Sequence, residues 1–170
     1  ACDWVIAIPA GQERSFAQTR SFAGMLVAVQ ALAALFSADA ALLAALGRLP
    51  SLAQPLIDRA DPLARLVGRD ERLERITFLG SGALHGLANE ATVKMKEMSL
   101  SLAEGYHFME FRHGPMSLVD EHHLIVALVS TKMREYEMAV LRDLRARGAR
   151  ILTVAEDDLG DDGLAHQHLA

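Results

Sequence analysis

Two acids and a lysine recur at helical spacing in Glu90-Ala-Thr-Val-Lys94-Met-Lys-Glu97, and a histidine follows in Glu110-Phe-Arg-His113-Gly114-Pro115. On a helix turning about 100° per residue, Glu90, Lys94 and Glu97 fall within roughly 40° of one another and share a face. Leu84, Leu87, Ala91, Met95, Met98 and Leu102 form the neighbouring apolar stripe, with Asn89 and Lys96 pointing away. The charged trio is therefore expected at the rim of the buried face, where partial desolvation and pairing tune proton affinity. A carboxylate that moves a proton between adjacent carbons, a histidine that moves a second and a lysine that fixes charge make an acid–base set. The plain alternative is a solvated helix face with supporting i, i+4 pairs, next to a turn that happens to hold a histidine.

Other residue types with chemical potential are weaker. Gly80-Ser81-Gly82 lies between an expected strand and an expected helix, so its backbone N–H groups suit an anion, or it is simply a tight turn. It is no dinucleotide fingerprint, because Leu84 and His85 stand where a third glycine is required. His122 and His123 follow two acids, but neighbours at a strand start point to opposite faces, so no metal site is expected. His166 and His168 sit in a tail expected to fray. Cys2 has no identifiable partner for a nucleophilic role, and Met95, Met98, Met109 and Met116 read as core filler.

The elements that must hold these groups follow from patterning. Trp4 to Ile8 is an apolar run expected as a buried strand, ended by Pro9-Ala10-Gly11, with a helix from about Ser15 to Phe36. Ala38 to Leu46 reads as a second helix stopped by Gly47 and Pro50, and Leu52 to Val67 as a third despite Pro55 and Pro62. From Arg75 the pattern alternates: strand Ile76 to Leu79, long helix to about Leu102, strand His123 to Ser130, helix Met133 to Arg147, strand Arg150 to Val154. Residues 101–112 hold at most a short strand before the His113-Gly114-Pro115 turn. Strands separated by helices imply an α/β three-layer sandwich, a parallel sheet of about five strands with helices on both faces.

Bulk properties narrow the function classes. At 170 residues and 51% apolar, the chain has ample material for a core. A net charge of -5 with dispersed Lys and Arg argues against a nucleic-acid surface. The single cysteine favours a reducing compartment, read as the cytoplasm. Met25 to Phe36, the longest apolar run, falls short of the roughly 20 residues of a bilayer span, so no membrane partner is expected. No signal peptide is evident, and the chain passes straight from Ala1-Cys2-Asp3 into an apolar run, as though it enters a fold midway.

These residues resemble the sugar isomerase (SIS) domain proteins, in particular the tandem-domain group with the isomerase half of glucosamine-6-phosphate synthase and the ketose/aldose-phosphate isomerase-deaminases. The segment from Glu90 to Glu104 is similar to the helix of the family's second domain, and Glu110-Phe-Arg-His-Gly-Pro-Met-Ser-Leu-Val119 to its Glu-x-[Lys/Arg]-His-Gly-Pro signature. Ala10-Gly11-Gln12-Glu13-Arg14-Ser15-Phe16-Ala17-Gln18-Thr19-Arg20 resembles the end of a first such domain. The resemblance implies a flavodoxin-like fold that binds a hexose or amino-hexose 6-phosphate, isomerises aldose to ketose with or without deamination, and uses no cofactor or metal. It implies Glu97 as the proton-transferring carboxylate, Glu90 and Lys94 as its support, and His113 in ring opening, contributed across a homodimer interface. Phe16, Ala17 and Gln18 would line the sugar-phosphate pocket, with Ser81 as a further binding candidate. It also implies that residues 1–48 are the remnant of a first SIS domain, 49–70 a helical connector and 71–170 a second SIS domain. The family's Ser-rich phosphate loop and its C-terminal lysine segment are not found in these residues, so the chain is expected to be incomplete. A non-catalytic sugar-phosphate sensor and a structural dimerisation fragment remain the other readings.

Overall fold

The computed structural model describes residues 2–157, 159, 168 and 169. The chain divides into two compact units, Ala1–Arg59 and Ala60–Ala170.

The first unit is helical. A 3-10 turn at Pro9–Gly11 precedes α1 (Arg20–Phe36), and α2 (Ala40–Gly68) begins in this unit and ends in the second. Trp4 to Ile8 is not the expected strand: it has no regular structure, and Trp4, Val5 and Ile6 are exposed. A strand exists only when a neighbour completes its hydrogen-bond ladder, and no described residue of this unit supplies one. The expected break at Gly47 and Pro50 is also absent, because α2 is one helix of 29 residues. Proline fixes φ near the helical value, so the helix continues through Pro50, Pro55 and Pro62, each of which removes one hydrogen bond. This helix, rather than Met25 to Phe36, is the longest apolar one, and by length and composition it suffices to cross a bilayer.

The second unit is the α/β layer structure. Its strands are β1 (Arg75–Gly80), β2 (Leu102–Tyr106), β3 (His123–Leu128) and β4 (Arg150–Val154), parallel and in the order β2-β1-β3-β4, with the two-residue β5 (His168–Leu169) paired to β4. The backbone of His168 is thus tied to the sheet edge rather than frayed, whereas His166 lies outside the described residues. Between the strands run α3 (Ala83–Ser99), α4 (Phe108–Arg112), a 3-10 turn (Pro115–Leu118) and α5 (Arg134–Ala146).

Right-handed crossovers decide which face each helix takes. The step from β1 to β2 goes one way across the sheet, and the steps from β2 to β3 and from β3 to β4 go the other. Accordingly α3 covers one face, with Ala88, Ala91 and Met95 against Ile76, Phe78, Ala103 and Val126. Helices α4 and α5 cover the opposite face, with Phe108, Phe111, Leu141 and Leu144 against Leu79, Ile125, Ala127 and Ile151.

Glycines set how closely α3 lies on the sheet. A Cβ on Gly80 would stand 2.4 Å from the Leu84 carbonyl oxygen, so the first turn of α3 closes directly over the end of β1. One on Gly105 would meet Asn89 Oδ1 at 2.6 Å and Thr92 Oγ1 at 2.9 Å. This close approach explains a departure from the expected stripe. The small residues Ala88 and Thr92 are buried against the sheet and Asn89 lies over Gly105, while Leu87 and Met98 are exposed and Leu102 is exposed on β2. Met98 is therefore not core filler, whereas Met116 is. The helix ends at Leu100, whose left-handed φ of 56° terminates it two residues before the expected end.

Candidate functional site

Helix α3 holds the acid–base trio as a single ion-paired group. Lys94 Nζ lies 2.9 Å from Glu97 Oε2 and 3.4 Å from Glu90 Oε1, the i+3 and i−4 neighbours that a helix brings to one face. The hydrogen bond to Glu97, with the charge of Glu90 behind it, raises the pKa of Lys94 above its ordinary value against a smaller opposing effect of desolvation. At neutral pH Lys94 is thus an ammonium. Its side chain is 20% exposed and that of Glu90 24%, whereas that of Glu97 is 43% exposed. Glu97 is the member that faces outward, and among the described residues its Oε1 accepts no hydrogen bond. Such a carboxylate has one oxygen held by a cation and one available to take a proton.

The remaining candidates are not gathered around it. Ser81 is buried in the turn that starts α3, where its carbonyl accepts from Leu84 N at 3.1 Å. Glu97 lies near the other end of the helix, and at a rise of 1.5 Å per residue the two are roughly 20 Å apart. Ser81 therefore belongs to a different end of the sheet from the trio. His113 is exposed at the end of α4, where its N–H bonds to the Glu110 carbonyl at 3.1 Å. Phe111 and Met116 on either side are buried among the α5 residues, and Arg112 pairs with Asp143 of α5 at 2.9 Å. His113 thus stands in the layer opposite to α3, and the sheet lies between it and Glu97 of the same chain.

Phe16, Ala17 and Gln18 belong to the first unit, with Phe16 and Gln18 exposed and Ala17 half-buried. They occupy a loop that starts where the sequence pattern predicts helix. The cause is Glu13, whose carboxylate accepts from Ser21 Oγ at 2.6 Å, Arg20 N at 2.9 Å, Thr19 Oγ1 at 2.9 Å and the N–H groups of Thr19 and Ser21. It satisfies the free amides at the start of α1 from outside the helix and draws residues 13–21 into a closed loop. These bonds, the one from Ser21 first, hold the Glu13 carboxyl well below the usual carboxylate range. Glu13 is a positioning residue that spacing did not reveal, since a carboxylate seven residues before a helix fits no local capping pattern.

His122 and His123 diverge as strand alternation requires. His123 is buried, with Nε2 2.8 Å from Thr77 Oγ1, and His122 Nδ1 lies 2.9 Å from the Arg72 carbonyl oxygen. Burial, followed by the charge of Arg75, pushes the His123 pKa down. Among the described residues no three His, Cys, Asp or Glu side chains converge as a metal site would require.

Comparison with known proteins decides the family. Residues 71–161 match the model of the SIS domain, which covers all four long strands and the three helices between them. The chain belongs to the SIS domain family. The SIS relatives include glutamine–fructose-6-phosphate aminotransferase (isomerizing) of Thermus thermophilus, 32% identical over 93% of this chain, and that of Gluconobacter oxydans, 33% identical over 97%. The chain spans 28% and 29% of the length of those two proteins. Among solved structures, tagatose-6-phosphate ketose/aldose isomerase of Escherichia coli superposes with a TM-score of 0.72 and 28% identity, covering 92% of this chain and 44% of that one. Glucosamine-6-phosphate deaminase of Thermotoga maritima gives 0.72 and 26%, covering 85% and 44%. The α/β architecture with a parallel sheet between helical layers is the one these SIS proteins share.

Proposed function

We propose that this SIS chain binds a hexose or amino-hexose 6-phosphate and supplies the proton-transferring carboxylate of an aldose–ketose isomerisation. The observation that carries the reading is Lys94 held between Glu90 and Glu97, with Glu97 Oε1 left open. In an opened aldose, Glu97 takes the proton from C2 as electrons move onto the carbonyl oxygen O1, giving an enediolate. The proton of the O2 hydroxyl passes to O1, and Glu97 returns its proton to C1 as O2 becomes the carbonyl of the ketose. Lys94 remains charged throughout and lowers the cost of the negative charge that develops nearby. His113 moves the ring-opening proton. Because it lies behind the sheet from Glu97 of its own chain, the His113 that serves a given Glu97 comes from the second copy of a homodimer. Phe16, Ala17 and Gln18, on the loop closed by Glu13, contact the sugar phosphate. The cytoplasm, inferred from the single cysteine, is the compartment in which such a substrate is found.

Names and folds of relatives support this reading: an aminotransferase described as isomerizing, a ketose/aldose isomerase and a deaminase, all with sugar-6-phosphate substrates in their names. Solvent-deuterium exchange at C1 of fructose 6-phosphate tests it. Glu97→Gln keeps the shape and a hydrogen bond to Lys94 but removes the base, and exchange is expected to fall about 10²–10⁴-fold with an unchanged melting temperature. Exchange undiminished in Glu97→Gln would remove the carboxylate from the chemistry and leave a sugar-phosphate-binding regulatory module.

A further inference from the structure

A second site lies at the end of the sheet where the strands begin, over β3 and β4, whereas the α3 trio belongs to a helix packed on β1 and β2. A cavity of about 490 Å³ is walled by Leu66, Val67, Leu124 and Leu152, and beside it lies a second of about 330 Å³ that includes His122 and Arg145. Arg72 and Arg150 line both. Asp70, whose side chain is only 14% exposed, fastens this dividing wall. It accepts from Arg72 Nε at 2.9 Å and Arg72 Nη2 at 3.1 Å, and pairs with Arg150 as well. The Arg72 backbone is fixed in turn by His122.

We propose that this pair of cavities binds a small organic phosphate with an apolar body of aryl or nucleoside size. Charge points to an anion: Arg69, Arg72 and Arg150 line these cavities against Asp70 and Glu121, a local positive excess in a chain whose net charge is -5. A guanidinium has five N–H donors, so Arg72 and Arg150, held in place by the buried Asp70 carboxylate, keep further donors that a phosphate accepts at low entropic cost. The apolar lobe selects the body. It has the volume of a small-molecule site, and its Leu66, Val67, Leu124 and Leu152 walls suit an apolar ring, with the polar groups Arg69, Asp70, Arg72 and Arg150 also lining it. A flat ring covers the leucine and valine walls with apolar surface, which the hydroxylated faces of a hexose do less well. The site is therefore distinct in chemistry, as well as in place, from the one on α3, and does not rest on the isomerase reading.

Titration calorimetry of the chain with 1-naphthyl phosphate tests the assignment, with inorganic phosphate, 2-naphthol and fructose 6-phosphate as competitors. Saturable one-to-one binding is expected, weakened at least about tenfold by Arg72→Gln with Arg150→Gln. Leu66→Glu, at an exposed position of α2, should weaken it comparably by placing a carboxylate in the apolar lobe while leaving the melting temperature unchanged. Glu97→Gln should leave it unchanged. Absence of binding, binding indifferent to Leu66→Glu, or binding of fructose 6-phosphate or inorganic phosphate at this site as tight as that of 1-naphthyl phosphate would each overturn the proposal.

Discussion

At the scale of single residues, what the sequence made legible was whatever a helix alone determines. Glu90, Lys94 and Glu97 are neighbours because of their spacing, and any backbone that is helical from 83 to 99 pairs them. His123 shows the opposite case. Its partner Thr77 is 46 residues away and is reached only because β1 and β3 are adjacent. The pH behaviour of the fold follows from that burial. Desolvation and Arg75 lower the His123 pKa in the folded state, with Asp120 and Glu104 opposing. The unfolded chain therefore takes up the proton first, near the ordinary value of about 6.5. The stabilising contribution is fully present above that value and is lost as pH falls toward the folded-state pKa. The melting temperature of the chain should decline between pH 7 and pH 5, and His123→Gln, which keeps a hydrogen bond to Thr77 without the titration, should flatten that decline. A slope unaltered by the substitution would assign it to other groups.

At the scale of elements, periodicity located β1, α3, β3, α5 and β4 to within a few residues, because these strands are apolar runs and these helices carry a regular pattern. The strand β2, whose sequence Leu-Ala-Glu-Gly-Tyr is no apolar run, was expected only as a short strand within 101–112, and the five-residue α4 is too short to show a period and was missed. It misplaced the buried stripe of α3, since volume rather than hydrophobicity governs where Gly105 lets the helix approach. Gly105→Ala should cost about 1–3 kcal/mol of stability, as its Cβ would press on Asn89 Oδ1 and Thr92 Oγ1. Asn89→Ala in the same chain should recover part of that loss, a coupling that a double-mutant cycle in denaturant would measure. The start of α1 was misread for a different reason, the non-local cap from Glu13. Its folded-state pKa lies below the unfolded value, so the cap is complete above about pH 4.5 and weakens as the medium becomes more acidic. Glu13→Gln should release the amides of Thr19, Arg20 and Ser21 to faster hydrogen exchange at pH 7 while leaving exchange in the β1–β4 sheet unchanged.

At the scale of the whole molecule, the sequence motifs were visible but their assembly was not, because which face of a sheet a helix covers depends on crossover direction. That rule places Glu97 and His113 in different layers, and it makes the homodimer reading testable without a structure of the assembly. The exposed apolar positions of α1 and α2, among them Val29, Leu35, Leu52 and Ile57, supply surface for such an association. In a dimer whose sites are shared, Glu97→Gln and His113→Asn homodimers are both impaired at both sites. Mixing the two variants under conditions that exchange subunits creates heterodimers. In these, one site combines both lesions and the other combines the native Glu97 of one copy with the native His113 of its partner. Random exchange makes half of the molecules heterodimers with one intact site of two, so exchange activity should recover to about a quarter of the native value. If each site drew both groups from one chain, every site in the mixture would carry a lesion and no recovery would follow. The restored fraction thus reports directly whether the sheet that separates Glu97 from His113 is bridged by a second copy.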